Sequence, residues 1–255
     1  MDKATISVVM IVKNEESKIE SCLRSLSWAD ELIILDSGST DLTVEICRKY
    51  TKNVYIENVW HGFGAQRQLA ESYASGDWIF AIDGDEEVTE KLSKEIQGVV
   101  ETDARDKVYA VPRLTWAFGS FVRHSGWYPD YVVRLYPRKR AQYNDAVVHE
   151  RVIFGSDMNL HYLKNDLLHY SYTNLESWVA KSARYSALWA EAKHAEGVRC
   201  TFADSITHSI MFFLRVYVVK RGFLDGAAGF MVAATGAFSR FLKYSDLWLR
   251  QKNRV

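Results

Sequence analysis

Cysteine and proline are scarce in this chain of 255 residues, with three of each. Cys22, Cys47 and Cys200 lie far apart, form no C-x-x-C pair and are odd in number. That pattern argues against a disulfide framework or a zinc site and fits a reducing compartment. The glycines build neither common phosphate loop. Gly62-Phe63-Gly64 lacks the third glycine of G-x-G-x-x-G, and no G-x-x-x-x-G-K-[ST] run occurs. A nucleotide here is not held as in dehydrogenases or P-loop enzymes. No charged and apolar leader opens the chain. Met1-Asp2-Lys3-Ala4-Thr5 runs straight into a strand, so a cytoplasmic location is expected. Internal repeats and low-complexity tracts are missing as well. Two late apolar segments, 202–220 and 223–244, read as helices that do not span a bilayer. Arg215 interrupts the first, and the uncharged run between Asp225 and Arg240 is shorter than the roughly 20 residues a span needs.

What is present is a globular composition, 48% hydrophobic and 25% charged, enough for one substantial core with or without an appendage. Formal charge is zero overall but unevenly spread, with eight basic and three acidic residues after position 200. A basic, aromatic-rich tail suggests an anionic partner, a membrane surface or nucleic acid. Nucleic acid is disfavoured, because the basic excess is confined to the last helices.

The chain is organised around Trp78-Ile79-Phe80-Ala81-Ile82-Asp83-Gly84-Asp85-Glu86. Five apolar residues predict a strand buried on both faces, and the acidic cluster sits where it ends. In open α/β sheets, ligands bind outside the carboxyl ends of strands. Asp83 and Asp85, turned by Gly84, can face one point, and such hard oxygen ligands suit Mg²⁺ or Mn²⁺ carrying a phosphate. A solvated acidic turn is the plainer alternative. Strands are also predicted at Ile6–Val12, Leu32–Leu35 and Val54–Ile56, with helices between them. Glu15 and Asp36 follow the first two strands, so acidic groups gather on one edge of a parallel sheet. Carboxylates there suit hydrogen bonds to a base and ribose. The stretches 109–122, 131–136 and 147–154 read as a β-rich extension punctuated by prolines, with a loop over 124–129. Thr173-x-x-Glu176 reads as a capping box, opening a helix with Leu175, Val179, Ser182, Tyr185, Trp189 and Ala192 on one face.

Val9-Met10-Ile11-Val12-Lys13-Asn14-Glu15-Glu16, Asp36-Ser37-Gly38-Ser39-Thr40-Asp41, Gln66-Arg67 and Asp83-Gly84-Asp85-Glu86, in that order, resemble glycosyltransferase family two. The match is strong over about residues 5–90. Trp127-Tyr128-Pro129-Asp130, Arg134-Leu135-Tyr136, Val148-His149-Glu150 and Gly222-Phe223-Leu224-Asp225-Gly226 are similar to bacterial lipopolysaccharide inner-core β-glucosyltransferases. Many relatives have D-A-D where this chain has D-G-D. The resemblance implies a GT-A, Rossmann-like mixed α/β sheet over residues 1–170, with 1–100 binding nucleotide sugar and 101–170 on the acceptor side. A helical, basic, membrane-proximal extension over 171–255 would follow. It further implies an inverting, metal-dependent transfer of glucose from UDP-glucose to a core heptose, at the inner face of the inner membrane.

Carried over residue by residue, Glu15, Asp36, Arg67 and Asp83 would bind the nucleotide sugar, and Asp85 would bind Mg²⁺ or Mn²⁺. Glu150 would be the base, with Asp130 and Asp145 as the other candidates. A structural pairing of Glu150 with Arg151 or Arg134 is the alternative role. His169 is either a buried structural histidine or a third metal ligand, and His161 is a weaker choice. Two other classes remain open: a nucleotidyltransferase, which usually opens with a glycine-rich basic loop, and a non-catalytic module on an anionic membrane. The second leaves the strand-end carboxylates unexplained. In the tail, Arg215, Lys220, Arg221, Arg240 and Lys243 lie among Phe212, Phe213, Val216, Phe223, Phe230, Met231 and Phe238, a composition that favours lying in a membrane interface.

Overall fold

The computed structural model describes residues 3–172 and 175–252. Thr173 of the expected capping box lies outside the described residues. The chain forms two compact units, Met1–Arg113 with Asp130–His169, and Leu114–Pro129 with Tyr170–Val255. They are called here the sheet unit and the helical unit.

In the sheet unit, β1 (Ile6–Val12), α1 (Ile19–Arg24), β2 (Glu31–Asp36), α2 (Thr43–Cys47), β3 (Val54–Ile56), α3 (Phe63–Ser72) and β4 (Trp78–Asp83) alternate. The strands pair in parallel in the order β3-β2-β1-β4. The order reverses between β1 and β4, which is a topological switch point. Alternate residues feed two cores, because a strand turns successive side chains to opposite faces. Val8, Met10, Ile34, Phe80 and Ile82 join Leu23 and Cys22 on one side. Val9, Ile33, Leu35, Ile79 and Ala81 join Ala70 and Ala74 on the other. Each fully buried aliphatic side chain contributes about 1.5–3 kcal/mol. Cys22 is core, as its position on α1 suggests.

Past β4 the sheet becomes mixed. β5 (Glu86–Val88) is followed by α4 (Glu90–Thr102), whose first turn is capped by the Thr89 hydroxyl accepting from the Leu92 N–H. β6 (Lys107–Ala117) and β8 (Asp130–Pro137) run antiparallel to each other, and β8 runs antiparallel to β4. A separate antiparallel pair, β9 (Ala141–Tyr143) and β10 (Val152–Phe154), leaves residues 144–151 as a loop. The stretch read as β-rich from Val147 is therefore strand only from Val152. The loop's backbone is occupied elsewhere: the Phe63 and Gly64 N–H groups donate to the Val147 and Ala146 carbonyls.

The helical unit contains the short strand β7 (Ser120–Phe121) and helices α5 (Leu175–Ala195), α6 (Phe202–Leu214) and α7 (Gly226–Lys252). Val122, Val216, Ala228, Val232 and Ala233 form its core, with Trp127, Phe212 and Phe213 packed against them. Two expectations change. The inward face of α5 carries Trp178, Ser186 and Ala190, while Leu175, Val179, Tyr185 and Ala192 are exposed. Ser186 and Ala190 are small enough to admit α7 there, and the Ser186 hydroxyl donates to the Ser239 carbonyl of α7 at 3.2 Å. Arg215 also does not interrupt its helix, which continues as a π turn over Arg215–Val219. By length and composition alone, Phe202–Val219 is long and apolar enough to cross a membrane, with a mean hydropathy of 1.3.

Candidate active site

The carboxyl edge of the parallel strands is shaped by two interlocked loops. Asn14, just past β1, adopts φ 55°, a left-handed turn that asparagine tolerates. Its side-chain Oδ1 accepts from the Thr40 N–H at 2.8 Å, and its backbone N–H donates to the Ser39 hydroxyl at 2.9 Å. The Glu15 N–H donates to the Thr43 hydroxyl at 2.8 Å. Asp36 is buried, and it accepts from the Gly38 and Ser39 N–H groups, both at 2.9 Å, and from the Ser39 hydroxyl. Asp36 thus braces its own turn. Glu15 is half-buried against Gly84, where an added Cβ would stand 3.3 Å from the Glu15 Cγ. Burial, then the charge on Asp85, pushes the Glu15 carboxyl up from its ordinary range.

Beyond β4, two buried arginines converge on three carboxylates. Arg134 Nη2 donates to Asp83 Oδ2 at 2.6 Å and to both Glu86 oxygens, at 2.7 and 2.8 Å. Arg67 Nη2 donates to Asp83 Oδ1 at 2.6 Å, and its Nε donates to Glu150 Oε1 at 3.1 Å. The Tyr143 ring lies 4.8 Å from the Arg67 guanidinium. Burial opposes charge on Asp83, yet Arg134 and Arg67 together hold its carboxyl well below the usual range. Charge-assisted bonds at these lengths are the strong kind, and removing one partner leaves an uncompensated buried charge.

Glu150 reaches this network from the 144–151 loop, next to His149 at φ 60°. Its ion-pair partner is Arg67, rather than Arg151 or Arg134. Asp83, Arg67, Arg113, Arg134, Tyr143 and Glu150 share the wall of a cavity of about 420 Å³. Neither Asp130 nor Asp145 lines it. Asp130 is engaged by Arg113 at 2.6 Å, and Asp145 is exposed. Glu15, Asp36, Asp85 and His169 also lie outside its lining.

Asp85 and His169 meet outside this cavity. Asp85 Oδ2 is 3.4 Å from His169 Nε2, and both side chains are mostly buried. His169 is placed by β12 (Leu167–Tyr172), which runs antiparallel to β5 with His169 opposite Glu86. Among the described residues, no group of three or more His, Cys, Asp or Glu could hold a metal ion. One carboxylate oxygen and one imidazole nitrogen nevertheless fit a cation that takes its remaining ligands from phosphates and water, as Mg²⁺ does in nucleotide sites. Asp83 does not fit that role, since arginines occupy both of its oxygens. His161 lies apart on β11 (Asn159–Tyr162), with its ring 5.7 Å from that of Tyr109.

Three members of the network were not assigned site roles from sequence: Glu86, Arg113 and Arg134. A signal existed for Arg134. An arginine inside an apolar strand run must find a buried carboxylate. A wider cleft of about 720 Å³ opens at the amino end of β2, lined by Arg24, Glu31 and Tyr50 among others. It lies at the wrong edge for this fold, and Glu31 is already taken by Ser7 and Ser75.

A parallel half, a switch-point edge rich in carboxylates and an antiparallel extension make this the GT-A fold of the glycosyltransferases. Residues 7–168 match the family described as Glycosyl transferase family 2, and the chain belongs to that family. An uncharacterized glycosyltransferase of Rickettsia typhi is 30% identical over 98% of this chain and 90% of its own length. The lipopolysaccharide core biosynthesis glycosyltransferase LpsC of Rhizobium meliloti is 28% identical over 97% of this chain and 93% of its own. Among solved structures, glucosyl-3-phosphoglycerate synthase of Mycobacterium tuberculosis, in complex with Mn²⁺ and UDP-glucose, shares 31% identity at a TM-score of 0.37, over 44% of each chain.

Proposed function

We propose that this glycosyltransferase moves glucose from UDP-glucose to a heptose of the lipopolysaccharide inner core, with inversion. The observation that carries the reading is the cavity where Arg67 joins Asp83 at the donor edge to Glu150 on the facing loop. The likeness to LpsC along nearly the whole chain supports a lipopolysaccharide core acceptor. Glu15 and the turn braced by Asp36 hold ribose and base, and Ser37, whose buried hydroxyl has no hydrogen-bond partner among the described residues, adds a donor there. Arg67 and Arg134 fix the Asp83 carboxylate against the sugar nucleotide.

Glu150 is the base. Arg67 engages its Oε1, and Oε2 takes the proton from the acceptor hydroxyl. The acceptor oxygen then bonds to the anomeric carbon on the face opposite the diphosphate. The bond from that carbon to the phosphate oxygen breaks, and its electrons leave with the nucleoside diphosphate. Asp85 and His169 are the residues to hold a divalent cation, which when bound supplies positive charge to the leaving diphosphate.

The helical unit places the enzyme on an anionic membrane surface. Ile206, Ile210, Leu214 and Val218 recur every four residues and are all exposed, with Met211, Val219, Phe223 and Leu224 beside them. Arg215, Lys220 and Arg221 are exposed in the same segment. Val216, Phe212 and Phe213 instead serve internal packing.

A donor screen tests the transfer reading, using UDP-glucose, UDP-galactose, GDP-mannose and ADP-heptose with a heptose-bearing acceptor. UDP-glucose should lead. Glu150→Gln should cost about 10²–10⁴ in turnover with UDP affinity unchanged. Asp85→Ala should abolish transfer with the fold intact. Normal turnover by Glu150→Gln would remove the base assignment, and normal turnover by Asp85→Ala in EDTA would remove the metal one.

A further inference from the structure

We propose that the helical unit carries a second ligand site, a pocket for a phosphorylated pyranose. This goes beyond the transfer reading and does not depend on it. The pocket has a volume of about 340 Å³ and lies wholly within that unit. Ligand cavities begin at about this size. On α5, Trp178, Lys181, Ser182 and Tyr185 face it at helical spacing. On α7, Gly236, Ser239, Arg240 and Lys243 do the same. Trp127 closes a side.

Charge is the first argument. Lys181, Arg240 and Lys243 all line the cavity, and no carboxylate among the described residues does. On the same helices, Lys193 pairs with Glu196 at 2.6 Å and Arg250 pairs with Asp246 at 3.2 Å. Arg240 instead lies 5.0 Å from the Phe212 ring centroid, and the Lys243 ammonium lies 5.6 Å from that of Trp189. Ring faces orient these cations without neutralising them. Burial, then the positive charge of Arg240, pulls the Lys243 ammonium below its ordinary range, so the free pocket holds like charges together at a cost. A bound anion relieves that cost.

The walls are the second argument. Two indoles and a phenol offer flat apolar faces suited to the C–H faces of a sugar ring, with the Ser182 and Ser239 hydroxyls in reach of its oxygens. A bare inorganic anion uses none of this. The walls are also built to stay in place. Asp225 accepts from the Arg123 N–H at 3.0 Å and the His124 N–H at 2.9 Å, and its Oδ1 lies 2.9 Å from His124 Nδ1. That clasp fixes the loop from which Trp127 projects. Gly236 leaves space for the Phe212 ring, whose Cε1 would stand 2.3 Å from a Cβ added there.

Calorimetric titration of the full chain with glucose 1-phosphate, glucose and inorganic phosphate tests the site. Glucose 1-phosphate should saturate one site. The double variant Arg240→Gln/Lys243→Gln should weaken it at least about tenfold, since two charge-assisted contacts go. Arg240→Lys/Lys243→Arg should recover most of the affinity, which separates lost charge from misfolding. Inorganic phosphate should bind at least about tenfold more weakly, and glucose should give no saturable signal. No saturation by wild type, equal binding by the Gln variant, or inorganic phosphate binding as tightly as the sugar phosphate would each overturn the proposal. Flotation separates a soluble from a lipid-linked source. Vesicles carrying a phosphorylated glycolipid should lose the Gln variant, while phosphatidylglycerol vesicles without it retain that variant. Loss from both kinds would assign the two cations to the membrane surface and overturn the sugar site. UDP-glucose hydrolysis by the wild type reads the transfer site separately: its failure with sugar-phosphate binding intact counts against the transfer reading alone.

Discussion

Replacing Gly64 by alanine should damage both stability and turnover, although residue 64 touches no proposed substrate. A Cβ on Gly64 would stand 2.1 Å from the Asn144 carbonyl oxygen, 2.7 Å from the Ala146 nitrogen and 2.8 Å from the Ala146 oxygen. All three are backbone atoms, so no side chain can swing away. Ordinary contact requires the loop to retreat by about 1.3 Å. Overpacking of this kind costs about 1–3 kcal/mol. The retreat also breaks the bonds from the Phe63 and Gly64 N–H groups to Val147 and Ala146, worth about 1 kcal/mol each. Better helix propensity returns up to about 1 kcal/mol. The net loss is about 2–4 kcal/mol. The same loop carries Glu150, and a misplacement near 1 Å costs about 10²-fold in rate. Urea unfolding and kcat/KM for transfer read the two effects. UDP affinity should hold, because the Glu15 and Asp36 loops are untouched. A variant within about 0.5 kcal/mol of wild type, with normal transfer, would refute the view that this glycine sets the loop.

Gly98 is the contrasting case: it is exposed in the interior of α4 with nothing within 4 Å of an added Cβ. Gly98→Ala should therefore stabilise by about 0.5–1 kcal/mol, and any loss on urea unfolding would contradict this. Burial raises Glu71 from 4.5 to about 7, outweighing the Tyr136 hydrogen bond that lowers it. The folded state thus holds this proton more tightly than the unfolded one. That contribution is complete below about pH 4.5 and is lost as pH rises to about 7, a change of about 3 kcal/mol. Glu71→Gln should be more stable than wild type at pH 8 and nearly equal at pH 5, and parallel stability curves would dismiss the linkage. At the membrane, Arg215→Gln/Lys220→Gln/Arg221→Gln should reduce flotation with anionic vesicles at low salt, each charge being worth about 1 kcal/mol. Equal flotation of this variant and wild type would leave the apolar stripe acting without charge.

Much of the parallel half was determined by sequence alone. The runs at Ile6–Val12 and Trp78–Ile82 are too apolar to be anything but buried strands, and the acidic residues after them follow from strand ends meeting solvent. The order of the K-N-E-E, D-S-G-S-T-D and D-G-D-E motifs was enough to point to the family. Residue identity did not reveal which charges pair, because that depends on contacts between distant segments. Arg67 lies 83 positions from Glu150, and Arg134 lies 48 from Glu86. Only the tertiary structure turned Asp36 into its own turn, gave Asp83 to two arginines and brought Asp85 to His169. The same holds for α5, where apolar spacing favoured one face and the close approach of α7 selected the neighbouring one, lined by Ser186 and Ala190. Periodicity reports what a helix can bury, whereas the partner's shape decides which side is buried.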